Sequence, residues 1–355
     1  MDELYGVPTH ALLPNATRHE IRASYEGLAI RQSAWMLWSV FSAINSVGCW
    51  IVPLAILTSR RARVSSTNIY VIALCLPDAL VGVAFTVNNV VNFREGWYTS
   101  RALCDFQAFY LIFTIGCSHY INALIALEVY RLLKITRDMG NYVQPSGWLV
   151  ACRCLAAYVW SAFVALWPLF GFLPHRIFLL KGLVCLPSEY NVGSAFFYYL
   201  VFFPAISSAP LGVALFIGYR VHRQKLLDLK QLLPRKSQTT SVSLPEDAQR
   251  RKAQTARSIA IFFSRIFVTL LVWQFGAALA LLDTYSSAPI IISLVWGLSQ
   301  PILTVAVSLA KPDIRMAVMN LISCRRFLGI GRVVPSLVKA QSAGAVDEAS
   351  QLSYR

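Results

Sequence analysis

The chain has 355 residues, 56% hydrophobic and 14% charged, with a mean hydropathy of +0.55 and a formal net charge of +15. Charged residues make up about a quarter of an ordinary soluble domain, so this composition excludes that class and makes a bilayer the solvent. On a soluble protein the basic excess would suggest nucleic acid. Here the Lys and Arg lie between apolar runs, so they read as topology signals and as a surface for anionic lipid or a cytoplasmic partner, with no nucleic acid.

In chain order, residues 1–33 read as an extracellular tail. The stretch to Gln32 has no apolar core, so no cleavable signal peptide is expected and the first apolar helix directs insertion. The tail carries a sequon, Asn15-Ala16-Thr17, which is glycosylated only on the lumenal side. Seven apolar runs follow, each long enough to span a bilayer as a helix: Ala34–Thr58, Asn68–Asn92, Asp105–Leu132, Trp148–Gly171, Ser194–Tyr219, Ser258–Leu282 and Ala288–Ala310. They predict an all-α seven-transmembrane bundle over residues 34–310. Residues 311–355 read as a short amphipathic eighth helix and a cytoplasmic tail.

With the N-terminus outside, 24 Lys and Arg fall on the cytoplasmic side and 7 on the extracellular side, with Arg265 inside the sixth span. That bias sets the orientation of a multi-pass protein, placed at the plasma membrane. The third cytoplasmic loop, about Val221 to Arg257, holds Ser237, Thr239, Thr240, Ser241 and Ser243 between basic clusters. It reads as a solvated linker or as a phosphorylation-controlled docking loop. Of eight cysteines only Cys104 and Cys185 fall in extracellular positions, where a disulfide can form.

No enzyme is indicated. The five histidines are scattered, no Cys/His spacing suits a metal, and there is no glycine-rich phosphate loop. His119, inside the third span, reads as a hydrogen-bonded bundle residue.

The motifs point to a family. Ser66-Thr67-Asn68 followed by Leu74-Cys75-Leu76-Pro77-Asp78, Trp97 with Cys104, Glu128-Val129-Tyr130 at the end of the third span, and Trp273 in the sixth together resemble the rhodopsin-like (class A) G-protein-coupled receptors over nearly the whole membrane region. The resemblance implies a Cys104–Cys185 disulfide over the top of the third span. It implies a conformational role, with a bound sodium ion, for Asp78, and no other cofactor. It implies an extracellular ligand, still unidentified, and a heterotrimeric G protein or an arrestin-like protein as cytoplasmic partner.

The chain also departs from the family. Val129 stands where the family has the Arg of its Asp/Glu-Arg-Tyr motif, so Glu128 is expected to lack its adjacent partner. Trp273 is not followed by the family's proline. Ser299-Gln300-Pro301 replaces Asn-Pro, and no Tyr follows at the family spacing. Arg265 reads either as a partner for Glu128 or Asp78 or as a residue snorkelling to the headgroups. Asn45 falls more than a turn from where the spacing to Asp78 would place the family's asparagine. In the fifth span either Pro204 or Pro210 matches the family's proline.

Lys311-Pro312-Asp313-Ile314-Arg315 resembles the start of the family's eighth helix, with Ile314, Val318 and Ile322 as one apolar stripe and Cys324 as a palmitoylation site. Leu111 stands where amine receptors carry an Asp, which argues against biogenic amines. No Lys precedes Lys311 in the seventh span, which argues against a retinal Schiff base. The ligand-pocket candidates are Phe109, Tyr110, Leu111, Tyr198, Tyr199, Trp273 and Gln274, between the third, fifth, sixth and seventh spans. Two further readings stand beside a signalling receptor. One is a receptor-derived protein of arrestin or decoy type, favoured by Val129. The other is a small-solute transporter, which would want more polar groups at mid-bilayer.

Overall fold

The computed structural model describes residues 27–96, 101–137, 143–169, 176–180, 182–188, 196–226 and 288–323, with Ile261, Ser264, Arg265 and Val268 from the sixth predicted span. Among the described residues six helices are long and apolar enough to cross a membrane: Ala29–Thr58, Thr67–Glu95, Ala102–Ile135, Gly147–Leu169, Tyr199–Arg223 and Ile290–Leu309. The described residues of the sixth run are helical and exposed, and the rest of it lies outside the described residues.

The elements are α1 (Leu28–Thr58), a short α2 (Arg60–Arg63), α3 (Thr67–Glu95), α4 (Arg101–Arg137), α5 (Gly147–Leu166), β1 (Arg176–Leu180), β2 (Val184–Ser188), α6 (Ala209–Arg223), α7 (Ala288–Leu309) and α8 (Pro312–Ile322). α1 begins at Leu28, ahead of the first apolar run, so its first turns lie in the stretch read as tail. Lipid solvates no backbone polar group, so helices close their own ladders, and hydroxyls bonded one turn back cost little. Ser39 Oγ donates to Trp35 O at 2.7 Å, Thr86 Oγ1 to Gly82 O at 2.7 Å and Ser308 Oγ to Thr304 O at 2.7 Å.

α1 and α3 approach closely. A Cβ on Gly82 would meet Ser42 O and Ser46 Cβ at 2.8 Å, so only glycine lets these backbones come together. α4 is central, packing on α3, α5, α6 and β2. Where the sequence suggests a plain fifth helix, the chain runs through two π-helical stretches, Tyr198–Phe202 and Pro204–Ser208, before α6. Proline removes a ladder donor and the wider turn accommodates it. Pro204 opens the second π stretch and Pro210 is buried at the start of α6, so both prolines shape this span. Tyr120 of α4 donates its hydroxyl to Ala205 O at 2.7 Å, supplying a freed carbonyl with a partner.

The structure adds one β element to the helical bundle. β1 and β2 form an antiparallel hairpin with Leu179 opposite Cys185, turning at Gly182, whose φ of 72° suits glycine. Its alternation is weak and it lies between the fourth and fifth apolar runs, which hid it in the sequence.

Candidate functional site

At the extracellular end, Cys104 of α4 is bonded to Cys185 of β2, with 5.3 Å between Cα atoms. Two polar contacts hang the hairpin on the bundle as well. Trp35 Nε1 donates to Leu183 O at 3.0 Å, and Cys185 N donates to Gln107 Oε1 at 2.7 Å. Ile177, Leu183 and Val184 are buried against Trp35, Trp38, Phe85 and Tyr110, so the hairpin closes the top of the bundle with apolar side chains.

The pocket candidates separate. Tyr110 is buried, accepts a hydrogen bond from Asn88 Nδ2 at 3.4 Å and meets Phe85 edge-on at 6.2 Å. It therefore faces α3, away from the fifth span. Leu111 packs against the same cluster, and Phe109 stacks on Phe113 at 5.9 Å. Tyr199 is 47% exposed. Trp273, Gln274 and the Tyr198 side chain lie outside the described residues, as do Trp97, Asn15, Cys324 and the third-loop serines and threonines.

At mid-membrane, Asp78 is 5% exposed, and among the described residues its carboxylate makes no hydrogen bond or ion pair. At the next residue, Ser46 donates to Ala79 O at 2.9 Å, which brings α1 level with it. Asn45 then donates its side-chain amide to Leu298 O on α7, the turn before the buried Pro301. The close packing at Gly82 brings Asn45 to this level, although its sequence spacing had seemed a turn out. His119, buried, bonds Ile115 O at 2.7 Å and sits 3.5 Å from Ser207 Oγ of the second π stretch.

At the cytoplasmic end the structure corrects one expectation. Glu128 does have cationic neighbours: Arg153 Nη1 of α5 lies 3.3 Å from its Oε2, and Arg131 Nη1 lies 3.9 Å away. Arg131 stands three residues on, which is the same helix face as Glu128 even though it is not the face of Val129. Val129 itself packs among Ile121, Ile125 and Leu133. Tyr130 packs against the buried pair Leu133 and Leu226, as does Val221 of the fifth span. The Arg265 side chain is exposed.

The start of α8 carries a polar knot that the sequence reading missed. Lys311 Nζ donates to Asn68 Oδ1 and, at 3.1 Å, to Thr67 Oγ1, and lies 3.4 Å from Asp313 Oδ2. Asn68 Nδ2 donates to Asp313 Oδ2 at 3.0 Å and to Ala62 O at 2.7 Å. Burial pushes the Lys311 ammonium below its ordinary value, and Asp313 opposes that shift. α8 buries Ile314, Ala317 and Val318 against Val52, Ala55 and Val71. The expected stripe is thereby corrected at its end: Ile322 is 65% exposed, on a second apolar surface with Met316 and Met319. A spacing of four per step drifts round a helix of 3.6 residues per turn, which carries Ile322 off the buried face.

Comparison with known proteins agrees with this layout. The profile of the 7 transmembrane receptor (rhodopsin family) matches residues 48–314. The probable G-protein coupled receptor 19 of Rattus norvegicus is 30% identical over 124 residues, covering 33% of this chain and 28% of that protein. Its Homo sapiens counterpart is 28% identical over 120 residues, covering 32% and 27%. The chain thus matches just over a quarter of the length of these relatives. The crystal structure of squid rhodopsin superposes with a TM-score of 0.63 at 16% identity, covering 88% of this chain and 91% of that one. The membrane helices in this order, the bridge from α4 to the extracellular hairpin and a family match over most of the chain lead to one conclusion: the chain belongs to the rhodopsin family of seven-transmembrane receptors.

Proposed function

We propose that this protein is a cell-surface receptor that carries the binding of an extracellular ligand to a heterotrimeric G protein, with its N-terminus outside. The observation that carries the coupling reading is the Glu128–Arg153 pair. Val129 removes the family's guanidinium from α4, yet α5 returns one to the same acidic residue at the cytoplasmic end. A ligand that binds one bundle arrangement better than another shifts the population between them, and an ion pair at this end is a two-state element that such a shift can bias.

Asp78 supports a second part of the reading. A buried carboxylate without a hydrogen bond among the described residues suits a monovalent cation such as sodium, which would bring water as its remaining ligands.

The test is nucleotide exchange by the purified full chain in nanodiscs across a panel of G proteins. Exchange above the receptor-free rate with at least one member is the expected result. No exchange with any member, together with arrestin recruitment in cells, would move the assignment to the arrestin-type reading that Val129 favours.

A further inference from the structure

The extracellular half of α3 carries three asparagines within two turns, Asn88, Asn89 and Asn92, all buried. Their surroundings are apolar. Phe85, one turn before Asn89, stacks on Trp38 of α1 at 6.1 Å and meets Tyr110 of α4 at 6.2 Å. Residues four apart share a helix face, so Asn89 belongs to the stripe of α3 that meets α1 and α4 below the hairpin.

The hydrogen bonding of this stripe is incomplete. Asn92 Nδ2 reaches Asn88 Oδ1 at 3.4 Å, and Asn88 Nδ2 reaches Tyr110 at 3.4 Å, both long. Among the described residues, neither polar atom of the Asn89 side chain has a partner, nor does Asn92 Oδ1 or the Trp38 indole N–H. Asn89 is 0% exposed. Buried amides are nearly always paired, so a set of orphans on one face, just under the extracellular cap, points to a partner that the described residues do not supply.

The orphans also define the partner's chemistry. They comprise an N–H₂ and a C=O on one amide, a second C=O and an indole N–H. An amide offers both a donor and an acceptor, so it matches another amide two bonds at a time. Trp38 packs with Trp35, Phe85, Leu183, Val184 and Ile290, and the Arg31 guanidinium lies over the Trp35 ring at 5.9 Å. A carboxylate, even with Arg31 beside Trp35, would set another acceptor against the orphan carbonyls of Asn89 and Asn92, and an ammonium would leave the Asn89 amide N–H and the indole N–H unpaired.

We infer that Asn89, with Asn92 and Trp38, recognises an uncharged carboxamide of the extracellular ligand, as in a peptide bond or a C-terminal amide. This rests on the receptor reading and places the recognition between α1, α3 and α4 rather than toward the fifth and sixth spans. Entry requires the hairpin to yield where Trp35 holds Leu183 and Gln107 holds Cys185. The shut arrangement leaves the amides unpaired and the occupied one pairs them, so the ligand favours the arrangement it opens.

The experiment uses the full chain in nanodiscs with two probes, N-acetyl-phenylalaninamide and its free acid N-acetyl-phenylalanine. Binding is read by the thermal midpoint and by ligand-observed NMR. The amide is expected to raise the midpoint and the acid to leave it unmoved. Asn89→Leu, close in volume, is expected to weaken the amide about thirtyfold, the equivalent of two lost hydrogen bonds. Without any probe it should raise the midpoint, since it removes two orphans. Val83→Leu, on the lipid-facing side of the same helix, should change neither reading. Equal shifts from acid and amide, no shift from the amide, or an unweakened response in Asn89→Leu would overturn the inference. A lower midpoint of Asn89→Leu without probe would mean that internal water already satisfies Asn89, and overturns it as well. Basal nucleotide exchange needs no probe, so a failure here is distinguishable from a failure of the coupling reading.

Discussion

The two ends of the bundle are held by different chemistry. The extracellular end is fixed by a covalent bond, Cys104–Cys185, and by a hairpin whose apolar side chains fill the space between α1, α3 and α4. The cytoplasmic end is held by ions: Glu128 between Arg153 and Arg131, and Lys311 between Asn68 and Asp313. A disulfide needs its own two residues and no substitute exists. A guanidinium can arrive from any neighbouring helix. This explains why the family pattern is intact at one end and reshuffled at the other. It also suggests that the outer end keeps its covalent tie even where the hairpin yields, and that the inner end exchanges partners.

The largest test of this contrast removes the covalent tie. Cys104→Ala or Cys185→Ala frees a connection of 81 residues, and the loop-entropy estimate for closing one that long is about 4 kcal/mol. The thermal midpoint of the purified protein should fall sharply and surface expression in cells should collapse. A midpoint within a degree or two of the parent would show that packing and the two polar contacts hold the hairpin without the covalent tie.

Next in size is the seam that joins the two ends. Gly82→Ala places a methyl 2.8 Å from the backbone oxygen of Ser42, which cannot rotate away. Overpacking of this kind costs about 1–3 kcal/mol. The effect should appear as a lower midpoint, and Val83→Ala at the neighbouring exposed position serves as comparison. Equal losses at the two positions would mean that α1 and α3 are not closely packed there.

Much of this was legible in the sequence, and what was not has physical reasons. Apolar length marks a span whatever its neighbours do, so six of the seven runs lie close to described helices. Cys104 and Cys185 were legible because only they fall outside the membrane on the oxidising side. Arg153 was not found as the partner of Glu128, because an ion pair between helices leaves no spacing rule in the chain. Its one visible sign was a charge inside an apolar run at the cytoplasmic end of α5. The Lys311–Asn68 contact joins residues 243 apart, and only folding shows it. Asn88, Asn89 and Asn92 were not singled out in the sequence, although a polar residue in a span costs free energy wherever it stands. That cost is itself a signal for a function.

A charge-exchange series probes the inner end at a smaller scale. Arg153→Met leaves Glu128 with Arg131, so the expected loss is about 1 kcal/mol, because the remaining cation is partly exposed and solvent screens it. Glu128→Arg together with Arg153→Glu should recover part of what each single change loses, read as midpoint and as basal nucleotide exchange. Additive losses in the double variant would show that the pair contributes nothing as a pair.

The smallest effect expected is also the one whose sign is least ambiguous. Burial holds the Lys311 ammonium below the ordinary lysine value of 10.5, with Asp313 pulling the other way. In the folded protein, then, the charged form is disfavoured relative to the unfolded chain. The penalty is fully present below the folded value. It disappears as pH rises through the folded value to the ordinary one, because the folded state releases its proton first. Stability should therefore gain slightly as pH rises across that window, against the usual alkaline loss. The comparison is between slopes, because Lys311→Met also removes the bonds to Asn68 and Thr67 and so lowers stability at every pH. Midpoints of both proteins, taken in nanodiscs from about pH 8 to about pH 10.5, give the difference directly. The parent should rise relative to Lys311→Met toward the alkaline end. A parent that falls relative to the variant would mean that Asp313 outweighs burial, so that the knot at the start of α8 acts as a favourable ion pair. The inner end would then depend on charge still more than the contrast with the outer end implies.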